Sequence, residues 1–128
     1  MRVLLDTHAL LWFSLDDARL SVRAKSAIMD RSSEPLVSPA TFWEIAIKVS
    51  LGKYAVEEEL VPFFSRLIAG NRMVLLPITL EHAAAVAKLP HHHRDPFDRL
   101  LVAQAISEGI PIISTDRALD AYSVTRIW

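Results

Sequence analysis

The chain has 128 residues, 52% of them hydrophobic and 23% charged, and contains no cysteine. That length predicts one domain over residues 1–128, able to hide roughly two thirds of its unfolded surface; disorder, a disulfide framework and an obligatory structural metal are excluded. Fourteen Lys and Arg against fifteen Asp and Glu give a net charge of −1, so no global positive field holds nucleic acid, and any such role rests on local side chains.

The first apolar run, Val3–Leu5, has strand length. Asp6 and His8 break it too early for the core of a signal peptide, and no later run approaches the ~20 residues of a membrane span, so cytoplasmic placement away from membranes is expected. A helix follows over Thr7–Phe13, and a second over Ser21–Ser32, with Ser21 as cap and Val22, Ala24, Ala27 and Ile28 as its apolar positions. Leu36-Val37-Ser38 predicts a strand leading into a helix over Pro39–Leu51, capped by Ser38, with Pro39 at its first position and Gly52 beyond its end. Glu57–Ala69 predicts a helix whose three glutamates face the positive end of its dipole. A strand over Met73–Leu76, helices over Leu80–Leu89 and Pro96–Glu108, and strands over Ile110–Ile113 and Val124–Ile127 complete the chain. Asp95 caps the Pro96 helix and Gly109 ends it. Strand-length runs alternating with helices predict an α/β protein built on a parallel sheet.

Four carboxylates carry the chemistry, each with a plainer reading beside it. Asp6 and Asp116 (in Ile113-Ser114-Thr115-Asp116) directly follow strands, at the carboxyl edge where open parallel sheets place ligand crevices; both can equally cap the helical turns they precede. Glu44 lies on a narrow polar stripe of an otherwise apolar helix, with Lys48 four residues on in the orientation favoured for an ion pair. Asp98 sits in the first turn of its helix, where the dipole favours negative charge, and shares a face with Leu101, Val102 and Ala105. A parallel sheet can bring all four to one rim. Carboxylates so crowded require raised pKa values or a bound cation, and oxygen donors without cysteine favour a hard ion, Mg²⁺ or Mn²⁺.

These residues resemble the PIN-domain ribonucleases, and among them the VapC-like toxins of toxin–antitoxin pairs. The resemblance is carried by Leu4-Leu5-Asp6-Thr7-His8-Ala9, by Val37-Ser38-Pro39-Ala40 through Trp43-Glu44-Ile45-Ala46-Ile47-Lys48 and Leu51-Gly52-Lys53, by His93-Arg94-Asp95-Pro96-Phe97-Asp98-Arg99-Leu100-Leu101-Val102-Ala103-Gln104-Ala105, and by Ile113-Ser114-Thr115-Asp116. It implies a three-layer α/β/α sandwich and Mg²⁺-dependent (or Mn²⁺-dependent) endoribonuclease activity. Asp6 and Asp98 would be the principal metal ligands, Asp116 would bind directly or through water, and Glu44 would position a second ion or water. Thr7 and Ser114 match the hydroxyl residues that support such a site, with Asp95 as cap and outer support. It further implies an RNA substrate, a small VapB-like antitoxin and a homodimer, the antitoxin tail being clamped between the Ser21–Ser32 and Glu57–Ala69 helices.

Arg94, Arg99, Lys48 and Lys53 lie nearest the acids in sequence and are the candidate RNA-binding cations, against a reading as ordinary surface ion pairs. His93 ends a run of three histidines and is expected to brace the helix start or touch RNA; His8 is expected to pack against a helix, and the aromatic residues to lie mostly in the core. Two other functions compete. A haloacid-dehalogenase-type, metal-dependent phosphatase needs a second acid two positions after the first, where His8 stands. A catalytically silent PIN-fold interaction module, or a receiver-like domain, would use the acids only as caps; the receiver pattern needs an acid pair straight after the first strand, whereas Asp16-Asp17 follows a helix.

Overall fold

A computed structural model describes residues 1–128. In chain order the elements are β1 (Arg2–Leu5), α1 (Thr7–Ser14), α2 (Val22–Met29), β2 (Glu34–Val37), α3 (Pro39–Ser50), α4 (Leu60–Ala69), β3 (Val74–Leu75), α5 (Leu80–Val86), α6 (Pro96–Glu108), β4 (Ile112–Ile113), a 3-10 helix (Arg117–Ala121) and β5 (Arg126–Ile127). The strands form one parallel sheet in the order β3-β2-β1-β4-β5.

Alternation along the strands builds the layers. Val3 and Leu5 point into a core shared with Leu10 of α1, Ile28 of α2, Phe42 and Ile45 of α3 and Leu67 of α4. Leu4, between them, points the other way into a core with Leu101, Val102 and Ala105 of α6. Helices thus cover both faces, giving the three-layer α/β/α sandwich. Strand addition runs outward from β1 in one direction through β2 and β3, then restarts on its other side with β4. The reversal between β1 and β4 opens a crevice at their carboxyl ends.

Helix punctuation follows the chemistry of the ends. Ser38 Oγ accepts from Ala40 N–H at the start of α3, and Asp95 accepts from Phe97 and Asp98 N–H at the start of α6, each with proline at the first position. Gly52 and Gly109 follow α3 and α6 in the left-handed region, at φ +73° and +65°.

Three helices are shorter than their sequence pattern, α5 among them, which ends at Val86 rather than Leu89. α4 starts at Leu60 rather than Glu57, because Pro62 has no N–H and fits only in a first turn; the glutamates therefore precede the helix, and Glu58 pairs with Arg66 at 2.7 Å. α2 stops at Met29 because Asp30 Oδ1 accepts from Ser32 N–H and Oγ, a local turn that competes with the helix, and Val22 is 85% exposed rather than packed.

Candidate active site at the carboxyl edge

Leu5 pairs with Ile113, so the next residues, Asp6 and Ser114, emerge side by side where β1 and β4 end. The Ser114 hydroxyl accepts from Asp116 N–H (3.0 Å) and hydrogen-bonds the Asp6 carboxyl, tying the two strand ends together. Asp6 Oδ1 accepts from Ala9 N–H at 2.8 Å and Asp116 Oδ1 from Ala118 N–H at 3.0 Å. Capping and site placement therefore coexist: one oxygen of each carboxylate fixes a helical turn.

Glu44 is brought in by α3 and buried. Thr7 Oγ1 donates to its Oε1 at 2.6 Å and Lys48 Nζ to its Oε2 at 2.8 Å, so both oxygens are held. Asp98 arrives from α6, half-buried. The structure also delivers His93, expected only to brace the helix start or touch RNA: it is 10% exposed at its side chain, and its Nε2 lies 2.9 Å from Asp116 Oδ2. His93, Asp98 and Asp116 present donor atoms that all lie within 4.8 Å of one another. This trio is a group of three whose donor atoms could hold one ion, and it adds His93 to the expected acids. No spacing rule announces it, since the histidine is folded in from the loop ahead of α6.

The electrostatics are those of crowded acids short of cations. Burial pushes the Asp98 carboxyl up to about 7, helped by the charges of Asp95, Asp6 and Glu44 and opposed by His93. Burial also raises Asp6, against the hydrogen bonds from Ser114 and Ala9. At Asp116 burial acts upward too, but the His93 hydrogen bond, the Ala118 N–H and the charges of His93 and Arg126 outweigh it and leave the carboxyl below its ordinary range. Oxygen donors from three elements, an imidazole nitrogen and a carboxyl pushed up to about 7 are what a divalent cation replaces protons on; the residues fit such an ion.

Several expected roles change. Arg99 is not an RNA-facing cation: it is buried, and its guanidinium donates to the carbonyls of Pro90, Val86 and Leu89, sealing the segment between α5 and α6. Lys48 is engaged by Glu44 and stands 5.3 Å from the Tyr54 ring. Lys53 lines a groove of about 810 Å³ between α1 and α4, whereas Arg94 is exposed at the rim. That groove, with Trp12, Leu15 and Phe63 in its walls, is bounded by α1 and α4, and α2 contributes no lining residue to it. His8 is exposed and stacks on Trp12 at 5.4 Å instead of packing inward. Trp43 is 64% exposed, edge-on to Phe97 at 5.4 Å beside the acids, rather than in the core.

The PIN domain family model matches residues 3–124. Ribonuclease VapC22 of Mycobacterium tuberculosis is 31% identical over 125 residues, 97% of this chain and 94% of that protein. Among solved structures, VapBC2 of Rickettsia felis bound to a DNA fragment from its promoter superposes with a TM-score of 0.72 at 10% identity, covering 98% of this chain and 97% of the other. VapBC-5 of Mycobacterium tuberculosis, from the VapBC family of toxin-antitoxin systems, gives 0.59 at 21% identity, over 94% and 89%. The match over almost the whole sequence, together with a parallel sheet that gathers acids at its carboxyl edge, shows that this chain belongs to the PIN domain family, on the VapC-like side of it.

Proposed function

We propose that this chain is a metal-dependent endoribonuclease and the toxin of a toxin–antitoxin pair. The observation that carries the reading is the carboxyl edge itself: Asp98 and Asp116 meet there with His93, Asp6 emerges beside them, and burial, helped by the charges of Asp95, Asp6 and Glu44, pushes the Asp98 carboxyl up to about 7. The kinship with a VapC ribonuclease and with solved VapBC structures supports it. The phosphatase and the silent module find no such support. A module that used its acids only as caps would have no reason to bury Asp98 against three other carboxylates.

In this reading Asp98, Asp116 and Asp6 hold a divalent cation, Mg²⁺ or Mn²⁺, and Glu44 orients a second ion or water. The bound cation supplies a water of lowered pKa and neutralises the scissile phosphate. Thr7 and Lys48 lock the Glu44 carboxylate in one orientation, and Ser114 fixes the spacing of Asp6 and Asp116. Asp95, spent on the first N–H groups of α6, holds Asp98 in place and adds to its negative surroundings. Exposed Arg94, and Lys53 in the groove, are the cations left to steer phosphates toward the acids.

The antitoxin is a small protein whose tail occupies the groove between α1 and α4. Pairing with a second copy of the chain and a cytoplasmic site of action belong to the same proposal; no helix here is long and apolar enough to cross a membrane. The decisive experiment incubates purified, antitoxin-free protein with a pool of structured RNAs in Mg²⁺, in Mn²⁺ or in EDTA, and sequences the fragment ends. Cuts that need metal and vanish in Asp98→Asn are expected. Metal-independent cutting, or cutting that survives in Asp98→Asn, refutes the mechanism.

A further inference from the structure

His93 belongs to none of the acidic pattern, yet the fold buries it at the same place. Its ring is clamped on the loop before α6 by Tyr122, whose ring centroid lies 5.5 Å away, while His92 packs edge-on to Tyr122 at 5.0 Å. One nitrogen, Nε2, meets Asp116 Oδ2 at 2.9 Å; the other, Nδ1, is buried with no hydrogen-bond partner. The nitrogen that meets the acids is thus Nε2, and a donor atom from each of His93, Asp98 and Asp116 lies within 4.8 Å of the others. A ring held by packing, with one nitrogen turned to two carboxylates, offers a divalent cation a nitrogen donor in place of the direct contact between Nε2 and Asp116.

We infer that His93 is a nitrogen ligand of the divalent cation at this site, and that it biases the site from Mg²⁺ toward Mn²⁺. The inference rests on the metal-dependent reading above and adds a donor to it. Mg²⁺ prefers all-oxygen octahedra and keeps its waters, whereas imidazole nitrogen is a better ligand for first-row transition ions. A site made only of acids has no such preference built in. One that contains His93 does.

The test uses the full chain, tag removed so that no foreign histidine competes, with Mn²⁺ as the probe. Electron spin-echo modulation of the Mn²⁺-loaded protein reports nitrogen bound to the ion directly, and calorimetry gives Mn²⁺ and Mg²⁺ affinities. Wild-type protein is expected to show ¹⁴N modulation that changes to the ¹⁵N pattern on histidine labelling. His93→Gln, which can still donate to Asp116, is expected to lose the modulation and to bind Mn²⁺ about 10- to 100-fold more weakly, with a smaller change for Mg²⁺. Mn²⁺ bound without nitrogen modulation overturns this inference and leaves the metal-dependent reading standing. Modulation retained in His93→Gln assigns the nitrogen to another histidine and overturns it equally. Failure of wild-type protein to bind Mn²⁺ at all removes both. Should His93→Gln not fold, the spectra of His8→Gln, His82→Gln, His91→Gln and His92→Gln decide: modulation kept in all four supports His93, and its loss in any one of them overturns the inference.

Discussion

At the C-terminal end of α6, Glu108 receives His82 Nε2 at 3.0 Å and Arg2 Nη2 at 3.1 Å, and these hydrogen bonds hold its carboxyl below the ordinary range. At the N-terminal end of the same helix, burial lifts Asp98 to about 7, helped by the charges of Asp95, Asp6 and Glu44 and opposed by His93. Thr79 N–H donates to His82 Nδ1 and so fixes the tautomer that donates to Glu108; both ring nitrogens of His82 are used, at 1% exposure of its side chain. At the acidic end His93 Nδ1 is left without a partner. One end of the helix is finished as a folding device and the other is left electrically incomplete. Incompleteness of that kind is what binding an ion relieves.

The largest effect that sharpens this contrast is Asp98→Asn. Cleavage of a fluorogenic RNA is expected to fall at least a hundredfold, on the order of what loss of a metal-site residue costs. The same protein, metal-free at pH 8, is expected to melt no lower than wild type, since the change removes repulsion. A lower melting point together with retained cleavage would reverse the assignment of roles to the two ends.

His82→Ala acts on the finished end. It vacates a buried site and strands the Thr79 N–H and Glu108, so urea denaturation should show a loss of about 2–4 kcal/mol, while cleavage per folded molecule stays unchanged. Arg99→Ala removes the buried guanidinium's hydrogen bonds to the carbonyls of Pro90, Val86 and Leu89 and is expected to cost about 1–3 kcal/mol without altering the salt dependence of RNA binding. Arg94→Ala should do the opposite: an unchanged melting point, with the slope of log affinity against log salt reduced by about one phosphate contact.

The two ends also differ in sign with pH. Asp98 has a folded pKa near 7, above its unfolded value of 3.8, so the folded state binds the extra proton in that interval. Its contribution is complete below about pH 4 and is lost as pH rises toward and through 7. Glu108, depressed from 4.5, contributes above its unfolded value and loses that contribution as pH falls through the folded one. Metal-free melts from pH 4 to 8 should therefore decline toward neutrality, recover with added Mn²⁺, and flatten in Asp98→Asn. A slope of equal size in Asp98→Asn would place the titrating group elsewhere.

Periodicity and punctuation made most of the fold legible. Ser38-Pro39, Asp95-Pro96, Gly52 and Gly109 mark ends whose hydrogen-bonding demands are local, and local demands are written in adjacent residues. The start of α4 was misplaced because the acidic run was weighed more heavily than Pro62, whose missing N–H sets the boundary. The four acids were legible because each directly follows a strand or opens a helix, or interrupts an apolar surface. His93 was not, because its burial depends on Tyr122 and Asp116, which lie more than twenty residues away in sequence. Arg99 was misread for a similar reason: its basic side chain looks available until the carbonyls it seals are folded around it.

The caps at the strand ends bear on how such a chain can be disarmed by mutation. Asp6 and Asp116 each commit one oxygen to the backbone of a following turn, so truncation of either removes a structural hydrogen bond along with the charge. Asparagine caps about as well as aspartate and is one nucleotide change away. Under the proposed function, a population selected to survive this protein should therefore accumulate asparagine at positions 6 and 116, where the caps are kept and the carboxylates are lost.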